Sequence, residues 1–578
     1  MKIVVAKTAG FCMGVRRAVE LALDAPSQHK PPIFTYGPLI HNPQVLAMFA
    51  ERGVTVLEEI PRQGAGTVLV RAHGVPPETK QQLKEAGFTV IDATCPKVVK
   101  VQSIIKSHAR KNFAAIIVGD ADHPEVVSLL GFAGKKGWVV GSLEELQAMP
   151  RFEQAIVVAQ TTQNQAFYQQ VKQWVAEHSG HYKVFDTICD STERRQTEVR
   201  HLAQEVDAVV VVGGKESGNT RRLAEVVTAA GKPAFHIETE ADLDQEALCR
   251  VQSIGITAGA STPTWIIKRV VRAIEQLPIH RRQGVRSLLL RMQRLALLTN
   301  LYVALGAGCL CYAATHLQRL ATSWPAIGVA VLYVLSMHIL NHLTSRAEDR
   351  YNDPDRERFY SQHKSLLTAM ALSAGTLGLV AAFQMGILPF WTLLVMSLLG
   401  LSYNLRLFPA NIWPTYRFRR IRDLPGSKTI LIAVAWGVVT AGLPALAADG
   451  GHWAASVLTV AWATIIAFSR TAFFDILDIQ GDRIVGKETI PILLGPERAL
   501  KLLRILLGAV FLLLLVAGWR GFFSPLAFLL AVCPLFLYGL IALHERGGML
   551  AGVQLEFTVE SLFVLTGLLT LSYHIAAV

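Results

Sequence analysis

Through the first 277 residues, short runs of β-branched and apolar residues alternate with longer stretches of helical periodicity. The runs at 3–6, 68–70, 89–91, 114–118, 155–158, 183–185, 208–212 and 254–257 predict strands, and the segments between them predict helices. Such alternation predicts an α/β architecture with mostly parallel sheets. From about Leu295 the pattern changes. Apolar runs of about 20 residues recur, each long enough to cross the hydrocarbon layer as a helix. About nine spans fit, near 295–315, 325–343, 366–386, 389–407, 428–447, 453–473, 500–518, 524–543 and 557–577. The expected organisation is a soluble domain over 1–277, a basic link over 278–294, and an all-α membrane bundle over 295–578.

Composition sharpens this division. A chain of 578 residues exceeds one hydrophobic core, and the positive mean hydropathy is a property of its second half. Seven cysteines are few for this length and lack the dense spacing of secreted domains, so reduced thiols in a cytoplasmic compartment are expected for the first half. The opening residues Met1 to Lys7 hold no apolar stretch of secretory length. The net charge of +12 is explained by topology. Arg346, Arg350, Arg356, Arg358 and Lys364 follow the second span, Arg406 to Lys428 the fourth, and Arg483, Lys487 and Arg498 the sixth; the opposite loops carry only Arg319 and Arg520. The expectation is therefore a multi-pass protein of the cell inner membrane with its first half in the cytoplasm and no nucleic-acid partner.

Three cysteines stand at strand-to-helix junctions. Asp92-Ala93-Thr94-Cys95-Pro96 and Asp186-Thr187-Ile188-Cys189 repeat one grammar, and Gly10-Phe11-Cys12 opens the chain with a looser version. A cysteine just ahead of a helix gains from the N-terminal dipole as a thiolate. Three thiolates from three loops fit an iron–sulfur cluster or a zinc ion, against the plainer reading of small buried residues. The absence of a Cys-x-x-Cys pair argues against structural zinc. A cluster held by three thiolates, by contrast, leaves one iron open to substrate.

Histidines recur in loops as well: His41 and His73 each have a proline within three residues behind them, and His123 is followed directly by Pro124. Two glycine-rich turns, through Ser217-Gly218-Asn219 and Gly259-Ala260-Ser261, open helices and can present backbone amides to an anion. Together they imply a doubly charged group such as a diphosphate. Glu125, beside His123, is placed to donate a proton, with Thr161 able to orient it; the alternative is a surface acid capping its helix.

Residues 1–277 resemble the 4-hydroxy-3-methylbut-2-enyl diphosphate reductases. The resemblance runs through Gly10-Phe11-Cys12-Met13-Gly14-Val15, His41-Asn42-Pro43, Arg71-Ala72-His73-Gly74, Asp92 to Pro96, His123-Pro124-Glu125, Gln160-Thr161-Thr162, Ser217-Gly218-Asn219 and Thr257 to Ser261. It implies a three-lobed α/β domain with pseudo-threefold symmetry. Cys12, Cys95 and Cys189 would hold a [4Fe–4S] cluster. His41, His73, His123, Thr161, Ser217, Gly218, Asn219 and Ser261 would contact the substrate, with Glu125, Thr161 and His123 catalytic. Ferredoxin or flavodoxin would supply electrons. Gly218 departs from members that carry a second serine there.

In the second half, Asp475, Asp478 and Asp482 follow the sixth span at spacings of three and four, which predicts one helical face. Carboxylates this close point to Mg²⁺ bridging a diphosphate. Asn341 and Asp349, with Glu348, Asp353 and Asp355 nearby, form a second acidic set. This half resembles the UbiA superfamily of intramembrane prenyltransferases, through Asp475-x-x-Asp478-x-x-x-Asp482-x-x-x-Gly486-Lys487-x-Thr489-x-Pro491, Tyr403-Asn404-Leu405-Arg406 and Asn341. The resemblance implies Mg²⁺-dependent transfer of a prenyl group from its diphosphate, with Asn341, Asp349, Asp475, Asp478 and Asp482 as metal-site residues. Where the family usually has the middle acid of the first motif, this chain has Ser345, and Asp353 or Asp355 is the candidate to compensate. The expectation is a bifunctional isoprenoid enzyme embedded in a lipid membrane. The alternatives are a reductase with a catalytically inactive anchor, and a zinc or redox-sensing module in place of the reductase.

Overall fold

The computed structural model describes residues 2–277, 285–344, 352–403, 421, 426–448, 453–485, 487, 489–545 and 552–577. The chain divides into two compact units, residues 1–281 and 282–578.

The first unit opens with β1 (Lys2–Val5). Strands β2 (Ile33–Tyr36), β3 (Val54–Leu57), β4 (Thr67–Val70) and β5 (Thr89–Asp92) then form a parallel sheet ordered β3-β2-β4-β5. Strands β6 (Ala114–Val118), β7 (Gly137–Val140), β8 (Ala155–Ala159) and β9 (Lys183–Val184) repeat the arrangement as β7-β6-β8-β9. Strands β10 (Ala208–Val212), β11 (Ala234–Ile237) and β12 (Ser253–Ala258) complete a third sheet, β11-β10-β12-β1, whose last member is the first strand of the chain. Three lobes of one topology result, as the resemblance implies, built on the parallel sheets that the alternating pattern predicts.

The apolar runs explain which strands are central. Ala-Ile-Val-Val-Ala in β8, Ala-Ala-Ile-Ile-Val in β6 and Ala-Val-Val-Val-Val in β10 are buried at every position, as expected of parallel strands covered by helices on both faces. Crossover helices supply that cover; Leu129 and Val126 pack on one face of β6, and Tyr168 and Val171 on the other.

The second unit is helical. Seven of its described helices are long and apolar enough to cross a membrane, from Trp324–Thr344 to Gly552–Ala576. A bent pair, Arg291–Leu298 and Leu301–Leu317, makes an eighth if counted as one span, and Ile387–Ser402 is a shorter apolar helix. The first span is thus not the straight run over 295–315 that hydropathy predicts. It turns by 76° where Asn300 adopts a left-handed backbone, a conformation Asn tolerates, with its amide donating to the Tyr360 hydroxyl at 2.6 Å.

Small residues let the helices approach. A Cβ on Gly437 would lie 2.9 Å from the Val460 carbonyl, and Gly306 and Gly567 leave similar room for Phe563 and Cys309. The last helix, Gly552–Ala577, carries two acids into the bundle, where Glu556 pairs with Arg356 and Glu560 with Arg470.

Candidate functional site

The threefold repeat of the first unit fixes where its polar side chains meet. Cys12, Cys95 and Cys189 each follow an edge strand, β1, β5 or β9, and each is the cap residue of the next helix, Met13–Gln28, Pro96–Ala109 or Asp190–Glu205. Their backbone N–H groups donate to equivalent carbonyls two residues past the neighbouring strand: Cys12 to Ala260 at 3.2 Å, Cys95 to Ala72 at 2.9 Å and Cys189 to Thr161 at 2.9 Å.

The neighbouring strand ends supply the other groups. His41, His123 and Ser217 stand five residues beyond Tyr36, Val118 and Val212. His73, Thr162 and Ser261 stand three residues beyond Val70, Ala159 and Ala258. The three histidines, which look alike in sequence, therefore occupy two different structural positions: Ser217 is the counterpart of His41 and His123, whereas His73 is not.

All of these residues, with Glu125, Gly218 and Asn219, line one cleft enclosing about 720 Å³, part of it open to solvent. The three thiols are free of disulfides and half-buried. The Sγ of Cys12 accepts from the Val15 amide at 3.4 Å. Burial pushes the Cys95 thiol upward, against the opposing pull of the Lys97 and Val98 amides in its helix's first turn. Gly14 makes room for that sulfur, since a Cβ there would lie 2.3 Å from it.

The imidazoles of His41, His73 and His123 have ring centroids 4.8–5.8 Å apart. Burial lowers the pKa of all three, for His123 to about 4, and the cations Arg71 and Arg221 push the same way at His41 and His123. Neutral rings beside two guanidinium groups make a donor-rich, electropositive end. The Nδ1 of His123 accepts from the Glu125 amide at 3.1 Å, which leaves the Nε2–H of the neutral ring as a donor. His41 Nε2, His73 Nδ1 and both amide atoms of Asn219 are buried without a protein partner. Buried polar atoms are normally satisfied, so these await a ligand. Ser261 donates toward the His41 carbonyl at 3.3 Å and Ser217 at 3.4 Å, closing the wall between the two glycine-rich turns.

Glu125 is no surface cap. It is 1 % exposed, and its two oxygens accept from Thr161, Oε1 from the amide at 2.6 Å and Oε2 from the hydroxyl at 2.8 Å. Burial outweighs these bonds and raises its pKa to about 7. Sequence reasoning missed the electrostatic part of Arg71 and Arg221 and the packing part of Gly14; Arg71 and Gly14 sit inside motifs already singled out, and Arg221 opens the helix after the first glycine-rich turn.

In the second unit the acids are less convergent. The sixth-span helix ends at Leu477, Asp478 leaves helical geometry (φ −105°, ψ 5°), and a new short helix runs Ile479–Ile484. The aspartates therefore do not share one uninterrupted helical face. Asp475 accepts from the Thr429 hydroxyl at 2.6 Å, and the buried Asp482 accepts from Asn352 at 2.9 Å and Lys487 at 3.3 Å. Asn352 was not anticipated. Among the described residues the one group of three or more His, Cys, Asp or Glu ligand atoms within 4.8 Å of one another is the imidazole trio. Asn341 lies half-buried in the last turn of Trp324–Thr344. Asp353 caps the helix Pro354–Gln362 and faces Arg356, while Asp355 is held by Arg294 at 2.8 Å, so both potential substitutes for the missing acid are engaged elsewhere. Ser345, Glu348, Asp349, Asn404 to Arg422, Gly486 and the link over 278–284 lie outside the described residues, apart from Ile421.

A threefold α/β domain that directs three thiols, a buried acid and an anion pocket into one cleft defines an enzyme acting on a small anionic substrate. The family model described as LytB protein matches residues 3–275, and that described as UbiA prenyltransferase family matches residues 300–549. The 4-hydroxy-3-methylbut-2-enyl diphosphate reductase of Pelobacter propionicus is 42% identical over 277 residues, covering 48% of this chain and 99% of that protein. The enzyme of that name from Nitratidesulfovibrio vulgaris is 44% identical over 281 residues, 48% of this chain and 100% of its own. The structure of a UbiA homologue from Aeropyrum pernix is 16% identical with a TM-score of 0.37, covering 47% of this chain and 98% of that one. The chain belongs to the LytB family of 4-hydroxy-3-methylbut-2-enyl diphosphate reductases, and carries a multi-pass UbiA-type prenyltransferase domain behind it.

Proposed function

We propose that the first unit works with a [4Fe–4S] cluster held by Cys12, Cys95 and Cys189, and that the second transfers a prenyl group with the help of Mg²⁺. The observation that supports the cluster most directly is the delivery of three unpaired thiols, one per lobe, into a single cleft in which Gly14 makes room for the Cys95 sulfur. Such a cluster supplies electrons for reductive removal of a hydroxyl and an iron without a protein ligand. The chain supplies the rest. Neutral histidines, Ser217, Asn219 and Ser261 bind the diphosphate, and Arg71 and Arg221 bias the pocket toward anions. Glu125, half-protonated near pH 7, holds the proton that leaves with the hydroxyl as water, and the Thr161 hydroxyl bonded to its Oε2 both donates and accepts, forming the route for that proton. Overall, two electrons from ferredoxin or flavodoxin and two protons convert the substrate to water and isopentenyl or dimethylallyl diphosphate.

The described basic residues Arg356, Arg358, Lys364, Arg483, Lys487 and Arg498 support a cytoplasmic first unit on an inner-membrane bundle. One set of observations favours the second reading, an inactive membrane anchor: Ser345 replaces an acid, and Asp482 is already engaged by Asn352 and Lys487. The test is anaerobic purification of the whole chain in detergent, with iron, sulfide and zinc analysis, followed by supply of labelled prenyl diphosphate and Mg²⁺ to membranes. Zinc without iron would end the cluster reading. Absence of a labelled lipid product with quinone precursors and other acceptors, in membranes whose reductase is active, would establish the anchor.

A further inference from the structure

Arg195 lies on the helix Asp190–Glu205, six residues beyond Cys189, and is 3 % exposed. Its counterparts six residues beyond Cys12 and Cys95 are Ala18 and Val101, both buried and apolar. The threefold repeat is thus broken by one cation. No carboxylate among the described residues lies within ion-pair distance of it; Glu198, one turn on, is bonded instead to the Lys7 amide at 2.6 Å and the Thr8 amide at 2.9 Å. The guanidinium donates from Nη1 to the Ala258 carbonyl at 3.1 Å and from Nη2 to the Gly10 carbonyl at 2.6 Å, and its Nε is buried without a partner. Gly10 is two residues before Cys12. Ala258 is two residues before Ala260, the carbonyl that accepts from the Cys12 amide. From the helix capped by Cys189, Arg195 therefore grips both walls of the Cys12 loop.

A buried cation hydrogen-bonded only to carbonyl dipoles has no directly paired counter-charge. We propose that Arg195 is a positioning residue whose resident counter-ion is the thiolate site itself, so that it joins the Cys12 and Cys189 loops and raises the reduction potential of the cluster those thiolates hold. The inference rests on the cluster reading above. Burial weakens the guanidinium's hold on its proton, and negative charge on Cys12, Glu198 and Cys189 offsets only part of that loss. Uptake of one electron from the external donor adds one negative charge close to this cation, so the reduced form gains more than the oxidised form.

The test compares full-length wild type, Arg195→Lys and Arg195→Gln, all purified anaerobically in detergent. The readouts are iron per chain and the midpoint potential from spectroscopic redox titration. Lys keeps the charge; Gln keeps an amide donor for a carbonyl and loses the charge. The expected result is a wild-type-like potential for Lys and a more negative one for Gln, or, if Gln does not retain iron, retention by Lys alone. Equal potentials in all three proteins, or equal loss in Lys and Gln, would overturn the proposal. A wild-type protein without iron would instead remove the cluster reading on which it stands.

Discussion

Gly14 and Cys95 belong to different lobes, and the Cys95 sulfur occupies the place where a Cβ on Gly14 would project, 2.3 Å away. The backbone of the Cys12 helix therefore forms part of the seat of another lobe's thiol. Gly14→Ala must displace the sulfur or the helix. We expect iron per chain after anaerobic purification to fall at least twofold while the far-ultraviolet circular dichroism stays unchanged.

Glu125→Gln should lower turnover by about 10²–10³-fold, as loss of a general acid does. In the wild type, turnover should fall as pH rises through about 7, where the buried carboxyl loses its proton. Folding stability follows pH in the same direction. Because the folded pKa is raised from 4.5 to about 7, the unfolded chain releases this proton at lower pH, and folding stability is lost as pH rises across that window. At pH 8, Glu125→Gln should therefore stabilise the cluster-free protein, by on the order of 3 kcal/mol at most. Thermal melts at pH 5 and pH 8 check the sign.

Asn219 presents an amide with neither atom bonded in a buried wall. Asn219→Ala removes hydrogen bonds made only with ligand, so KM for the diphosphate substrate should rise by about 10-fold or more, with cluster content unaffected. Steady-state kinetics on the iron-replete variant measure it.

Asp482 is held by Asn352 and Lys487. If the membrane unit transfers prenyl groups with Mg²⁺, Asp482→Asn should abolish the labelled product while leaving reductase turnover intact. Asn352→Ala should weaken the response to Mg²⁺ rather than eliminate it. Titration of product formation against Mg²⁺ distinguishes the two.

The bidentate pair of Arg470 with Glu560 is buried between the helices Trp453–Leu477 and Gly552–Ala577. Removing one partner strands a charge, which costs about 3–5 kcal/mol in buried pairs. Glu560→Gln should lower the melting temperature of the membrane unit in detergent, and the double change Arg470→Met with Glu560→Met should recover most of it.

The strands legible in sequence were those with continuous apolar runs or a place beside a cysteine motif. The eight expected segments correspond to β1, β4, β5, β6, β8, β9, β10 and β12. Four strands escaped: the outer edge strands β3, β7 and β11, which are partly solvated and carry a broken pattern, as in Val54-Thr55-Val56-Leu57, whose two middle residues are exposed, and the inner strand β2, Ile33-Phe34-Thr35-Tyr36, which is short and alternates buried with half-buried positions. The meeting of the three thiols was suggested by spacing and context, whereas for Glu125 spacing left a surface cap as an equal alternative and the resemblance pointed to the cleft. The distinction between His41 and His73 was not, since it depends on which strand each loop leaves. Nor was the break at Asp478, where the acids that define the motif also interrupt the helix that spacing predicts.

The sheet order has a consequence for the birth of the protein. Among the described strands β1 pairs with β12 alone, so the first strand made waits for that partner until residues 253–258 leave the ribosome. The loop carrying Cys12 is fixed by the Ala260 carbonyl and so acquires its shape only then. On the cluster reading, insertion would follow synthesis of the entire first unit, with the apolar helices emerging immediately behind it. Delayed release of this short stretch of chain would hold back completion of the thiol-bearing cleft and membrane insertion together.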